Sequence, residues 1–95
     1  MSEAQQKEAN KAVAALASQA QLTLKTQRDY RRDLLNVLTS CKSDRLVDLV
    51  PKRVLACKWV KTKAPSTQHK LWRMMGSLHK ASGNQAIADA YRQKR

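Results

Sequence analysis

Thr26-Gln-Arg-Asp-Tyr30-Arg-Arg-Asp-Leu34-Leu-Asn-Val37-Leu38-Thr-Ser-Cys41 is the stretch on which the fold turns. Its apolar positions Tyr30, Leu34, Val37, Leu38 and Cys41 recur at i, i+4, i+7, i+8 and i+11, one face of a helix with about 3.6 residues per turn. At about 100° per residue, Lys25, Arg28 and Arg32 project from the opposite side, and Asn36 and Thr39 continue their line. The pattern predicts a helix with one buried side and a polar, basic ridge on the other.

A second segment of the same kind lies downstream. Lys63-Ala64-Pro65 reads as a linker and Ser66 or Thr67 as an N-cap, so the spacing predicts a helix from Thr67 to about Ser82. Leu71, Met75, Leu78 and Ser82 share its inner face with Met74 beside them, while His69, Lys70, Arg73, Gly76, Ser77 and Lys80 face away. Gly83 offers a left-handed stop and Asn84 a fresh N-cap, so another helix is expected to carry Ile87, Ala90 and Tyr91 inward and to halt at Arg95.

Upstream, Ser2 to Gln19 carries Ala9, Ala12, Val13 and Leu16 at helical spacing, and Ala20 just beyond continues it. At about 25 cal/mol per Å² so thin a stripe stabilises little, which predicts loose docking and a mobile start. Lys42-Ser43-Asp44 reads as a break that caps a short turn through Leu46 and Leu49. Pro51 then suits the first turn of a third helix reaching about Lys61, in which Val54, Leu55, Cys57, Trp59 and Val60 form no single face. No strand-like alternation or hairpin turn occurs. The expected fold is all-α, a compact four- or five-helix bundle, with residues 1–21 an N-terminal helix or mobile arm and residues 22–95 a helical domain.

Ninety-five residues suffice for one core and are too few for two. Lys and Arg total 19 against 7 Asp and Glu, a formal net charge of +12, and no acid stands between Leu49 and Ala88. Lys52, Arg53, Lys58, Lys61, Lys63, Lys70, Arg73 and Lys80 all fall in that acid-free stretch. An excess of this kind calls for an anionic partner, nucleic acid or an anionic surface. The N-terminus has no signal-peptide pattern and the longest apolar run, Ala12 to Ala17, is too short to span a bilayer, so a cytoplasmic, nucleoid-associated protein without membrane contact is expected. Cys41 and Cys57 lack a C-x-x-C spacing and read as small buried apolar residues; with His69 and His79 they match no recurring zinc pattern, so no metal or other cofactor is expected.

Two helices that bury one face and display Lys, Arg, His and Gln on the other suit the DNA major groove, which is about one helix wide. Arg28, Arg32, Lys70 and Arg73 are the favoured groove or phosphate contacts, with Lys25, Gln68, His69 and Lys80 beside them. The N–H groups of Ser66, Thr67 and Gln68 at a helix start add a phosphate-binding device, and ordinary capping explains them equally. Gly76 on the outer face costs about 1 kcal/mol relative to Ala. Close approach of DNA explains it, and so does tight helix packing. Trp59 and Trp72 read as core or rim residues, Tyr30 as core, His69 and His79 as surface and rim. No catalytic constellation or small-molecule site is expected: the acids Asp29, Asp33, Asp44, Asp48 and Asp89 pair with neighbouring bases, and Ser66 with His69 is an accidental spacing.

Two stretches together resemble a known family. Thr26 through Tyr30 to Leu34 is similar to the Thr-x-x-x-Tyr-x-x-x-Leu helix of the core-binding, SAM-like domain of tyrosine recombinases, the phage integrase group. Ala64-Pro65-Ser66-Thr67 leading through Leu71 and Leu78-His79 to Gly83 resembles that domain's second signature. The likeness runs from about Leu22 to Arg95. It implies that Lys25, Arg28, Arg32, Gln68, Lys70 and Arg73 lie toward duplex DNA, that other recombinase protomers are partners, and that chemistry belongs to a separate domain. That catalytic domain is missing here, so Tyr30 and Tyr91 are not nucleophile candidates. The chain then reads as an excised N-terminal part, which the halt at Arg95 favours, or as a free-standing relative. The rival readings are a helical DNA-binding regulator or nucleoid protein, a protein-interaction adaptor with a basic docking face, and an RNA binder.

Overall fold

The computed structural model describes residues 2–93. They form α1 (Glu3–Gln19), α2 (Leu24–Ser40), a 3₁₀ turn (Leu46–Asp48), α3 (Pro51–Leu55), α4 (Lys58–Lys61), α5 (Pro65–Ala81) and α6 (Gln85–Gln93), with no strand among the described residues. The expected halt at Arg95 lies outside the described residues. The protein is an all-α helical bundle of 29 × 29 × 23 Å in which α5 lies against α1, α2 and α6, and α2 also meets α1 and α4.

The count of helices exceeds the expected four or five because the third helix breaks. Pro51, Val54, Cys57 and Val60 are all buried, at steps of three. In a continuous α-helix each such step falls about 60° short of a full turn, so the four would wind around the axis. The chain avoids this by ending α3 at Leu55 and extending Cys57 (φ −69, ψ 121), which resets the phase before α4. The absence of a single face in this stretch is the mark of that break.

In the segment expected to be an N-terminal helix or mobile arm, Glu3–Gln19 is a helix that shares the core. Ala9, Ala12, Val13 and Leu16 are buried against α2 and α5. Its apolar stripe is thin, and polar bonds supplement it. Ser2 and Gln5 form a capping box, the Gln5 amide donates to the Ser43 carbonyl at 2.9 Å, and the Glu8 carboxylate accepts the Leu46 N–H at 2.8 Å. The last of these caps the 3₁₀ turn from a different helix. Ser43 itself is buried and bonds the Arg45 N–H at 3.2 Å across the turn that Lys42, at φ 54, initiates.

The inner face of α2 is as periodicity predicts, with Leu34, Val37 and Leu38 fully buried; Tyr30 is only half-buried at its edge. On α5, Leu71, Met74, Met75 and Leu78 are buried, whereas Ser82 caps the helix and is exposed. Gly83 takes φ 85, the left-handed stop expected of it. α6 turns Ala88 and Tyr91 inward, with Ile87 and Ala90 half-buried beside them.

His79 corrects a surface expectation, for it is fully buried. Its Nε2 lies 3.0 Å from the Leu49 carbonyl, and Nδ1 lies 3.2 Å from the Asn84 amide nitrogen. A carbonyl only accepts, so Nε2 carries the proton and Nδ1 accepts from Asn84, the neutral imidazole. The same Leu49 carbonyl accepts the Tyr91 hydroxyl at 2.6 Å, and the Tyr91 ring stacks on His79 at 5.4 Å. Trp72 donates its indole N–H to the Tyr91 carbonyl at 2.7 Å. This network fastens α5 and α6 to the segment before α3, and burial lowers the His79 pKa while pushing the Tyr91 phenol upward.

Candidate nucleic-acid interface

Thr23 opens α2 by accepting the Thr26 N–H at 3.1 Å, and from that start Lys25, Arg28, Arg32 and Thr39 all reach solvent on one side. On α5 the exposed arc is Ser66, His69, Lys70, Arg73, Ser77 and Lys80. The two ridges are neighbours. Arg32 and Asn36 from α2 and Thr67 and Lys70 from α5 line one groove of about 690 Å³, floored by Tyr30, Leu71 and Met74. Trp59 and Lys63, at the end of α4, complete it, with the Lys63 ammonium 4.5 Å from the indole centroid. Arg73, His69 and Lys80 continue around α5 into a second cleft.

The groove is not uniformly positive. Asp29 and Asp33 also line it, and Arg32 sits 3.5 Å from the first and 3.3 Å from the second. These side chains are partly solvated, so the pairs contribute little to stability. Their effect is local, because they offset the charge that Arg32 offers. Lys25, Arg28, Lys70, Arg73 and Lys80 have no acidic partner among the described residues.

The start of α5 differs from the expected cap. Ala64 is the N-cap and Pro65 the first helical residue, so Ser66 and Thr67 stand inside the first turn and no side chain caps it. Pro fits there because its fixed φ suits the helix and its missing N–H needs no acceptor. The Gln68 N–H donates to the Ala64 carbonyl at 2.9 Å and its side chain to the Lys63 carbonyl at 2.8 Å. Gln68 is therefore turned back onto the α4–α5 connection and away from the outer face. Ser66 and Thr67 keep N–H groups without a backbone partner.

Of the residues expected at the site, Lys25, Arg28 and Arg32 share the α2 ridge and His69, Lys70, Arg73 and Lys80 the α5 arc. Asn36, Lys63 and Trp59 in the groove and Arg92 in the second cleft were not among them. Lys63 lies two residues beyond α4, where helical spacing no longer fixes its side, and only the fold brings it over Trp59. Among the acids expected to pair with bases, Asp29 and Asp33 do; Asp48 accepts from Ser43 and Asp89 from Gln85. Cys57 is buried, but Cys41 is only half-buried beside it, its thiol 3.9 Å from the Arg53 carbonyl. Burial and the neighbouring Cys57 push the Cys41 thiol up to about 11.

Among the described residues no three His, Cys, Asp or Glu side chains converge as metal ligands, and no helix is long and apolar enough to cross a membrane. No protein-family model, curated protein or solved structure matches the chain.

Proposed function

We propose that this chain binds duplex DNA through the α2 ridge and the α5 arc, in the manner of the core-site-binding domain of a tyrosine recombinase. The observation that carries the reading is the groove that Arg32 and Lys70 share from opposite walls. Two cationic ridges on opposite sides of the molecule could not touch one duplex; these two border the same depression. The acid-free run from Leu49 to Ala88 and the net charge of +12 supply the long-range attraction. Lys25, Arg28, Lys70, Arg73 and Lys80 would meet phosphates, and Arg32 and Asn36 would meet base edges. The recombinase role, with other protomers as partners in the nucleoid, rests on the two sequence stretches that resemble that family. In this role the chain positions DNA and leaves the chemistry to another domain.

The test is a salt titration of duplex binding by fluorescence anisotropy. With about six phosphate contacts, log affinity falls against log salt at a slope of about −5, and Arg73→Ala flattens it by about 0.9 without loss of helicity. A slope near −1, or an Arg73→Ala variant that binds as the parent does, overturns the reading. A single-stranded RNA that outcompetes the duplex would move the function to RNA.

A further inference from the structure

The second cleft, bounded by α5, α6 and the end of α1, has a volume of about 370 Å³. Its charged lining is Arg73, Lys80 and Arg92, with His69 at the edge, and no carboxylate among the described residues lines it. Each of the three cations lacks an acidic partner among the described residues. The aromatic groups behind them have no hydrogen to offer, since the Trp72 indole N–H is taken by the Tyr91 carbonyl and the Tyr91 hydroxyl by Leu49. Gln19 of α1 donates to the Ala81 carbonyl at 2.9 Å and fixes the far end. The cleft thus offers positive charge and the Ser77 hydroxyl, with no acidic side chain among the described residues to offset the charge.

Gly76 in its wall is the second observation. A glycine in mid-helix weakens the helix relative to alanine. Tight packing against α6 does not require it, because a Cβ at this position would meet the Tyr91 Cβ at 3.6 Å, ordinary van der Waals contact. No neighbour among the described residues needs the bare backbone, which leaves the helix surface at Gly76 open to close approach.

We infer that this cleft is a phosphate site, in which one phosphate group lies against the bare backbone at Gly76 with Arg73, Lys80 and Arg92 as its counter-charges. Ser77 donates the remaining hydrogen bond. The proposal rests on the duplex-binding reading only for the source of the phosphate, which is then the DNA backbone as it passes from the α5 arc. A phosphate carried by a small molecule has the same chemistry.

The ¹⁵N-labelled full chain, titrated with sodium phosphate at constant ionic strength and separately with a duplex, tests it. Saturating shifts at the Gly76 and Ser77 amides are expected from phosphate, and Arg92→Gln weakens them about threefold. Gly76→Ala is expected to melt higher than the parent and yet bind phosphate less tightly. Shifts that fail to saturate, that are as large at Lys25 and Arg28 as in the cleft, or that survive Gly76→Ala unchanged overturn the inference. If phosphate saturates the cleft while the duplex does not bind, the site stands with a small-molecule source and the DNA reading falls. If the duplex binds and phosphate leaves Gly76 unmoved, the reverse holds.

Discussion

Acidification is expected to destabilise this fold through one side chain. His79 is fully buried, holds the Leu49 carbonyl through Nε2–H at 3.0 Å and accepts from Asn84 at Nδ1, an arrangement open only to the neutral ring. A proton on Nδ1 would place a charge among Leu49, Asn84 and the Tyr91 ring, with no carboxylate paired to it. Desolvation lowers the pKa below the ordinary 6.5, so the unfolded chain takes up a proton at a pH where the folded one does not. Stability is therefore complete above about 6.5 and falls as pH drops below it, until the folded-state pKa is reached. The slope is at most about 1.4 kcal/mol per pH unit, so 1.5 units of further acidification cost at most about 2 kcal/mol. Urea melts from about pH 7.5 to about pH 5 on the parent and on His79→Gln, which cannot titrate, isolate this contribution. The carboxylates are common to both proteins, so their effect cancels in the difference. If parent and variant lose stability in parallel, the buried neutral imidazole is not the acid-sensitive group and the tautomer argument is wrong.

Two further outcomes follow from the same geometry. Asp33→Asn removes one of the two carboxylates that hold Arg32, and duplex affinity is expected to rise about two- to fivefold at about 0.1 M salt, with a steeper salt slope; unchanged anisotropy titrations would show that Arg32 lies outside the interface. Cys41, with its thiol raised from the ordinary 9.0 to about 11, is expected to react with iodoacetamide at about pH 8 roughly 100-fold more slowly in the folded protein than in urea. Equal rates in the two states would mean that the burial of the Cys41 thiol beside Cys57 does not persist in solution.

Periodicity made the long elements legible. Leu34, Val37 and Leu38 on α2 and Leu71, Met75 and Leu78 on α5 sit inside because a helix of 17 residues repeats its phase often enough to outvote exceptions. Short elements give no such vote. α3 and α4 together show only Pro51, Val54, Cys57 and Val60, whose period of three has meaning only once the break at Ala56 and Cys57 is known. His79 is a different case. It stands four residues after Met75 and eight after Leu71, so its phase points inward; its polarity argued for the rim, and what permits its burial is a carbonyl 30 residues away. The contacts of Gln5 with Ser43 and of Glu8 with Leu46 are equally remote, across 38 residues each, which is why α1 reads as a weak helix and yet docks. At the site the ridge phases were visible, because exposure follows directly from the buried face. The partition of the α5 cations between two depressions was not, since it depends on where α2 and α6 lie.

That partition bears on how a basic protein distinguishes attraction from orientation. The α5 arc carries only positive and neutral polar side chains, and nothing between Leu49 and Ala88 offsets them. The α2 wall carries both signs, with Arg32 held between Asp29 and Asp33. On the proposed reading a polyanion approaches α5 unopposed from the side of the second cleft, which suits fast, salt-sensitive, sequence-independent association. Approach to α2 is conditional. A phosphate that drifts against Asp29 or Asp33 is repelled, and one aligned with Arg28 and Lys25 is not, so the acids penalise wrong registers more than they weaken the right one. The two carboxylates also bias the Arg32 guanidinium toward the groove wall they share, which would lessen the rotamer freedom lost on meeting a base. On that reading, charge on α5 sets how tightly a duplex would be held, and the mixed wall of α2 how it would be turned.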